Sequence, residues 1–174
     1  MEQLEKLLKN MLMSAAVGDF AGSAYEGKYR RTKDYDAVKM FSSRAHFTDD
    51  TVLTFACAEA FIHHLDMGMN IWMRGNQHKH AGFGHAFKDW LRSSDHKPYG
   101  SLGDGSAMRC SSAGWLAKSE KECIQFATGT ALPTHNHPEG IKGAVATALA
   151  IYWLNHGKDK EFVKENVLKK YYPD

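Results

Sequence analysis

Cysteine is scarce in this chain, and the three present, Cys57, Cys110 and Cys123, form no CxxC pair. An odd count without paired spacing excludes a disulfide framework and a zinc–thiolate centre, and it fits a reducing compartment. A cytoplasmic location is therefore expected. Long apolar runs are missing too: the longest, Ile141 to Leu154, contains Lys142 and is too short for a membrane span. The first residues lack a signal-peptide layout, because Glu2, Glu5 and Lys6 interrupt the apolar positions. Charge of one sign is also nearly absent. The formal net charge is +2, and no basic run is longer than Arg30-Arg31 or Lys169-Lys170. The electrostatic footprint of a nucleic-acid binder is not there. What is present is ordinary: 43% apolar and 24% charged residues over 174 positions. That is enough chain for one buried core, and a single domain over residues 1–174 is expected.

Apolar residues recur at helical spacing along most of the chain. Leu4, Leu7, Leu8, Met11 and Leu12 predict an opening amphipathic helix that runs into Gly18-Asp19-Phe20-Ala21-Gly22. Residues 27–46 are polar and aperiodic and read as a loop. Thr48 or Asp49 then caps a helix through about Leu65, apolar on most sides and so central. Residues 67–81 are rich in Gly, Asn and His and read as irregular. Phe83, Ala86, Phe87, Trp90 and Leu91 form the next stripe, and Ser106 to Ala117 reads as one short helix. Ser119 with Glu122 makes a capping-box signature, and Pro138 suits a first helical turn before the stripe Ile141, Ala144, Val145, Ala148, Leu149 and Tyr152. A last helix around Phe162, Val163 and Val167 runs to Lys170. No alternating strand pair is visible, and the expected class is all-α.

Four clusters could carry chemistry. Asp49 and Asp50 stand between Thr48 and Thr51 at a predicted helix start. As a structural feature they are an N-cap with acids complementing the helix dipole. As a chemical one they offer oxygen ligands that suit magnesium, calcium or manganese better than zinc. Adjacent helix positions point about 100° apart, so the two carboxylates converge only where the backbone is loose. The second cluster, residues 18–26, ends in Glu26, which is either a turn residue or an acid reaching back towards a metal or a water. The third, residues 101–109, is a glycine-rich loop opening a helix: a tight turn, or a cradle of backbone N–H groups for phosphate. The fourth, residues 134–140, contains His135, suited to hydrogen-bonding a ribose or phosphate. The remaining histidines, among them His63, His64, His78, His80 and His85, read as surface residues. Trp72, Trp90, Trp115 and Trp153 read as core or interface, and Cys110 as a small buried residue rather than a nucleophile.

Taken in order, GDFAGSAYE, FTDDTVLTFA, KPYGSLGDGSAMRCSSAGWLA and THNHPEGIKGA resemble the ADP-ribosylglycohydrolase family over residues 18 to 144. The resemblance implies a single-domain orthogonal bundle of helices. It also implies one or two magnesium ions, with manganese an alternative, and hydrolysis of the bond between the ADP-ribose C1″ and an acceptor. By position it implies Thr48, Asp49 and Asp50 as metal ligands, and Asp49, Asp50 and Glu26 as the acidic residues of catalysis. Gly103, Asp104, Gly105, Ser106, Met108 and His135 are implied to line the ADP-ribose cleft. The family usually has Asn where this chain has Asp104, an extra negative charge that Lys97 or Arg109 could offset. A second aspartate motif further along the family sequence has no counterpart in residues 145–174, so a C-terminally truncated bundle is expected. That absence keeps two alternatives open: a module that binds ADP-ribose without hydrolysing it, and a structural protein on the same fold. A truncated bundle also leaves apolar stripes uncovered, and self-association or pairing with a complementary C-terminal chain is expected.

Overall fold

The computed structural model describes residues 2–26, 32–34 and 36–173, with side chains from Met11 onward. Leu4, Leu7 and Leu8 of the opening stripe therefore lie outside the described side chains. Among the described residues the chain forms nine helices and no strand, in agreement with the all-α class. They are α1 (Glu2–Ser23), α2 (Asp49–His63), α3 (Met67–Gln77), α4 (His85–Arg92), α5 (Gly105–Arg109), α6 (Ser111–Leu116), α7 (Glu120–Ala131), α8 (Pro138–Asn155) and α9 (Lys160–Tyr171).

Short polar side chains cap the helix starts. Thr48 caps α2, accepting from the Asp50 N–H, and Asp159 caps α9, accepting from the Phe162 N–H at 2.7 Å. The box expected at α7 is half made. Ser119 accepts from the Glu122 N–H at 3.2 Å, but the Glu122 carboxylate accepts from the Lys118 N–H, one residue before the cap. Pro138 opens α8 directly after the His137 cap, where its missing N–H costs nothing.

Two readings are corrected. Residues 67–77 are helical, not irregular, although Gly68, Asn70 and Gly75 are poor helix formers. Asp66 caps the segment through the Met69 N–H at 2.7 Å, and the buried Asn70 side chain donates to the Ala56 carbonyl of α2 at 2.7 Å. The Arg74–Glu59 ion pair ties the same two helices, so tertiary contacts override propensity. The second correction splits residues 106–117 into α5 and α6 at Cys110.

Burial divides the core into two clusters. One gathers Val52, Leu53, Ile71, Phe83, Phe87, Trp90 and Leu91 from α2, α3 and α4 with the 81–83 segment. The other gathers Cys110, Ala113, Cys123, Ala127, Ala144, Leu149 and Trp153 from α6, α7, α8 and the α5–α6 junction. Helix α5 lies between them and touches both α2 and α8. Its Met108 packs on the first cluster, and its Met108 carbonyl accepts from the Thr54 hydroxyl at 3.1 Å. Helices α6 and α8 meet almost backbone to backbone at Gly114. A Cβ there would sit 2.5 Å from the Ala148 carbonyl oxygen. All three cysteines are free and buried, and burial pushes the Cys110 thiol up to about 12, as expected of a packing residue.

Helices α1, α2 and α3 leave an apolar groove of about 420 Å³, with Leu12, Phe47, Val52, Phe55 and Ile62 in its lining. Phe47 is 50% exposed there. No helix among the described residues is long and apolar enough to cross a membrane.

Candidate functional site

Two adjoining features are built around the start of α2. The first is acidic. Asp19 on α1, Glu26 just after α1, and Asp50 on α2 place carboxylate oxygens within 4.8 Å of one another. Asp19 is the hub. Its carboxylate accepts from the Thr48 N–H at 2.7 Å, the Thr48 hydroxyl at 2.7 Å, the Thr51 N–H at 3.2 Å and the Thr51 hydroxyl. Four donors on one carboxylate hold the end of α1 against the start of α2. The Thr48 hydroxyl also lies 3.1 Å from Asp50 Oδ2, so Thr48 is locked between the two acids. Burial raises the Asp50 pKa above the ordinary carboxylate value, and the Asp19 charge adds to the rise. The donor set is oxygen only, carboxylates beside hydroxyls, and it fits a hard divalent cation. The histidines join no such cluster among the described residues.

The second feature is a cleft of about 220 Å³ beside the α2 start. Asp49 stands in its wall with Gly84, His85, Tyr99, Ser101, Gly103, Asp104, Gly105, Met108, Arg109 and His135. Asp49 lines the cleft and Asp50 belongs to the acidic trio, and the charges of Asp50 and Glu26 act on Asp49, so cleft and trio adjoin. Burial is the main cause that raises Asp49 to about 6, with the charges of Asp50, Glu26 and Asp104 adding to it.

That shift has a sign that can be checked. Between roughly pH 4 and pH 6 the folded chain retains a proton on Asp49 that the unfolded chain has released. The associated stability is present below the unfolded value and is lost as pH rises through 6. Asp49→Asn removes the penalty but gives up the favourable acid–dipole contact at the helix start. After discounting for solvent screening, the variant without added divalent ions should be more stable than the parent by about 1 kcal/mol at pH 7.5. The advantage should vanish at pH 4. Urea midpoints at the two pH values measure it, and an equal gain at both would contradict a raised Asp49.

At the back of the cleft the 103–105 loop meets the 134–140 segment. A Cβ on Gly105 would sit 3.0 Å from the His135 ring, so glycine lets the loop close on the imidazole. His135 is buried at 2% exposure. Burial first, and then the charge of Arg109, lower its pKa to about 4, against a smaller opposing pull from the Gly103 carbonyl and Asp104. Its ring is neutral at physiological pH. Arg109 is fully buried. Its guanidinium donates to the Thr130 carbonyl (2.9 and 2.7 Å), the Ala131 carbonyl (3.3 Å) and the Thr134 hydroxyl (2.8 Å).

Of the residues expected to line the cleft, Gly103, Asp104, Gly105, Met108 and His135 are brought together there. Ser106 is not: it is buried, and its hydroxyl donates to the Gly140 carbonyl at 2.6 Å, tying α5 to α8. Neither cation suggested as an offset for Asp104 pairs with it. Lys97 pairs with Asp95 at 2.9 Å, and Arg109 is committed to the α7 end. Sequence reasoning missed Asp19, although it lies within the same motif as Glu26, seven residues earlier. It also missed Tyr99, Gly84 and His85 in the cleft wall and the role of Arg109. Position in the motifs could have flagged Asp19, Tyr99 and Arg109, whereas Gly84 and His85 lie outside all four.

The helices and these two features define an all-α class in which an acidic oxygen cluster abuts a glycine-lined cleft. The ADP-ribosylglycohydrolase family profile matches residues 2–173, and the chain belongs to that family. It is also 24% identical over 178 residues to the ADP-ribosylhydrolase ARH3 of Xenopus tropicalis, covering 86% of this chain and 51% of the relative. The chain therefore spans about half the length of that relative.

Proposed function

We propose that the cleft holds ADP-ribose and that the site hydrolyses the bond between its C1″ and an acceptor on a modified protein or small molecule. The observation that carries this reading is the placement of Asp49, a carboxyl shifted to about 6, in the wall of the cleft and next in the chain to the acidic trio. Asp19, Glu26 and Asp50, with Thr48 beside them, would hold one or two magnesium or manganese ions. When bound, such a cation polarises ribose hydroxyls and lowers the pKa of a bound water.

The chain's own residues supply the remaining work. Gly103 and Gly105 let the loop backbone approach a diphosphate closely, and His135 offers a ring nitrogen to the ligand. The glycosidic bond breaks through an oxocarbenium-like ribose. Water attacks C1″, and Asp49 accepts its proton, since a carboxyl titrating near 6 is still a usable base at neutral pH. The acceptor leaves with the bond electrons and takes up a proton.

The test is release of ADP-ribose from an ADP-ribosylated protein in the presence of Mg²⁺. Asp49→Ala and Asp50→Ala should each slow release by about 100-fold or more. Release unchanged in both variants would end the reading. The second reading is that this chain binds ADP-ribose without turning it over. Calorimetric binding of ADP-ribose without Mg²⁺, together with no release, would select it.

A further inference from the structure

Two buried nitrogens in the cleft wall make no well-formed hydrogen bond among the described residues, His135 Nε2 and Arg109 Nη1, although the Gly103 carbonyl lies near enough to act on the His135 ring. Unpaired buried polar atoms are costly, and in a ligand cleft they mark where a ligand atom completes the set. What the His135 nitrogen asks of a ligand depends on whether it carries the ring proton, and the surrounding hydrogen bonds decide that.

The hydrogen-bond relay starts at Arg109, whose guanidinium can only donate. It donates to Thr134 Oγ1 at 2.8 Å. Thr134 is completely buried, and its hydroxyl lies 2.7 Å from His135 Nδ1. The hydroxyl has one proton of its own and needs an acceptor for it. Among the described residues the other partner of Oγ1 is Arg109, which cannot accept. If Nδ1 carried the ring proton, the hydroxyl would receive two hydrogen bonds while its own proton pointed at nothing, in a place water does not reach. If Nδ1 is bare, the Thr134 hydroxyl is satisfied: Arg109 gives to Thr134, and Thr134 gives to Nδ1. The ring proton then belongs on Nε2, the nitrogen without a well-formed bond. Burial and the Arg109 charge keep the ring from taking a second proton, so a single ring proton has to be placed.

We propose that Thr134, itself oriented by Arg109, is a positioning residue that fixes His135 in its Nε2–H tautomer, so that the cleft presents a hydrogen-bond donor to an acceptor oxygen of its ligand. The ligand class follows. An oxygen with a lone pair, such as a ribose hydroxyl, a ring oxygen or a phosphate oxygen, completes His135. A group that can only donate does not. The nature of the ligand rests on the cleft reading given above, whereas the tautomer does not.

The two parts separate experimentally. In the ¹⁵N-labelled chain, long-range ¹H–¹⁵N correlation spectra report which ring nitrogen of each histidine is protonated, and His135→Gln assigns the His135 signals by their loss. The expected pattern is a bare Nδ1 and a protonated Nε2. Thr134→Val keeps the shape and removes the relay: the fixed tautomer should give way to a mixture or to the Nδ1–H form. ADP-ribose binding measured by calorimetry should weaken about 10-fold, the loss of roughly one hydrogen bond. Thr134→Ser should restore both. An Nδ1–H ring in the parent chain overturns the proposal, as does an unchanged pattern in a folded Thr134→Val. If that variant does not fold, the parent and Thr134→Ser spectra still decide the tautomer. The expected pattern without any ADP-ribose binding by the parent would support the relay and overturn the cleft reading.

Discussion

Replacing Asp19 with Ala should lower the unfolding free energy by about 3 kcal/mol and weaken Mg²⁺ or Mn²⁺ binding by about 100-fold. The stability loss comes from four donors of Thr48 and Thr51 that share the one carboxylate. Hydrogen bonds to a charged acceptor contribute roughly 1.5–3 kcal/mol each, but bonds to a shared group are not additive. Relief of the repulsion between Asp19 and Asp50 offsets part of the loss. The Thr48 N–H and hydroxyl are buried at 3% exposure, so water does not freely replace the lost acceptor. Cation affinity falls further, because one of three carboxylates goes and the Thr48 clamp between the other elements goes with it. Asp19→Asn retains the shape and one acceptor oxygen, and should recover part of the stability but little of the cation binding. Urea melts and calorimetric titrations with each ion measure the two effects separately. A melt within about 0.5 kcal/mol of the parent would mean that the α1–α2 junction is held without Asp19.

Gly114→Ala is the second large effect, with an expected loss of about 3 kcal/mol. The added methyl would lie 2.5 Å from the Ala148 carbonyl oxygen and 2.8 Å from Ile151 Cβ. Neither obstacle is the free end of a flexible side chain, so α6 must back away from α8. That separation opens the cluster around Cys110, Ala113, Ala144 and Ala148, which has no exposed face to relax into. A matched Gly129→Ala should cost little, since that position has open space. Similar melts for the two variants would contradict close contact at Gly114.

Much of this architecture is legible in the chain. Helices α2, α4, α7, α8 and α9 announce themselves by apolar spacing, and Thr48, Ser119 and Asp159 cap where short polar side chains should. Helix α3 does not, because what holds it is outside it: the Ala56 carbonyl, the Glu59 carboxylate, and Leu91, whose side chain packs where a Cβ on Gly75 would be. A single sequence shows composition, and the composition of residues 67–77 argues against a helix. The site divides in the same way. Motif order points to residues 48–50, 103–108 and 135, but not to which atoms face which space. Asp49 lines the cleft, while its chain neighbour Asp50 joins Asp19 and Glu26. Ser106 sits within the expected cleft motif and spends its hydroxyl on Gly140. Asp19 looks like a helix-end acid until Thr48 and Thr51 arrive from 29 and 32 residues away.

Helix α5 is only five residues long, and it is wedged between both core clusters while its first residues line the cleft. A wall segment placed in this way has no slack. It cannot swing without unpacking Met108 from one side or Cys110 from the other. The rim is more open, with Tyr99 37% and neighbouring Leu102 67% exposed, yet the Ser101 N–H between them is held by the Thr134 carbonyl at 3.1 Å. If the proposed cleft takes a ligand, the stiff back wall fixes the shape the ligand must match.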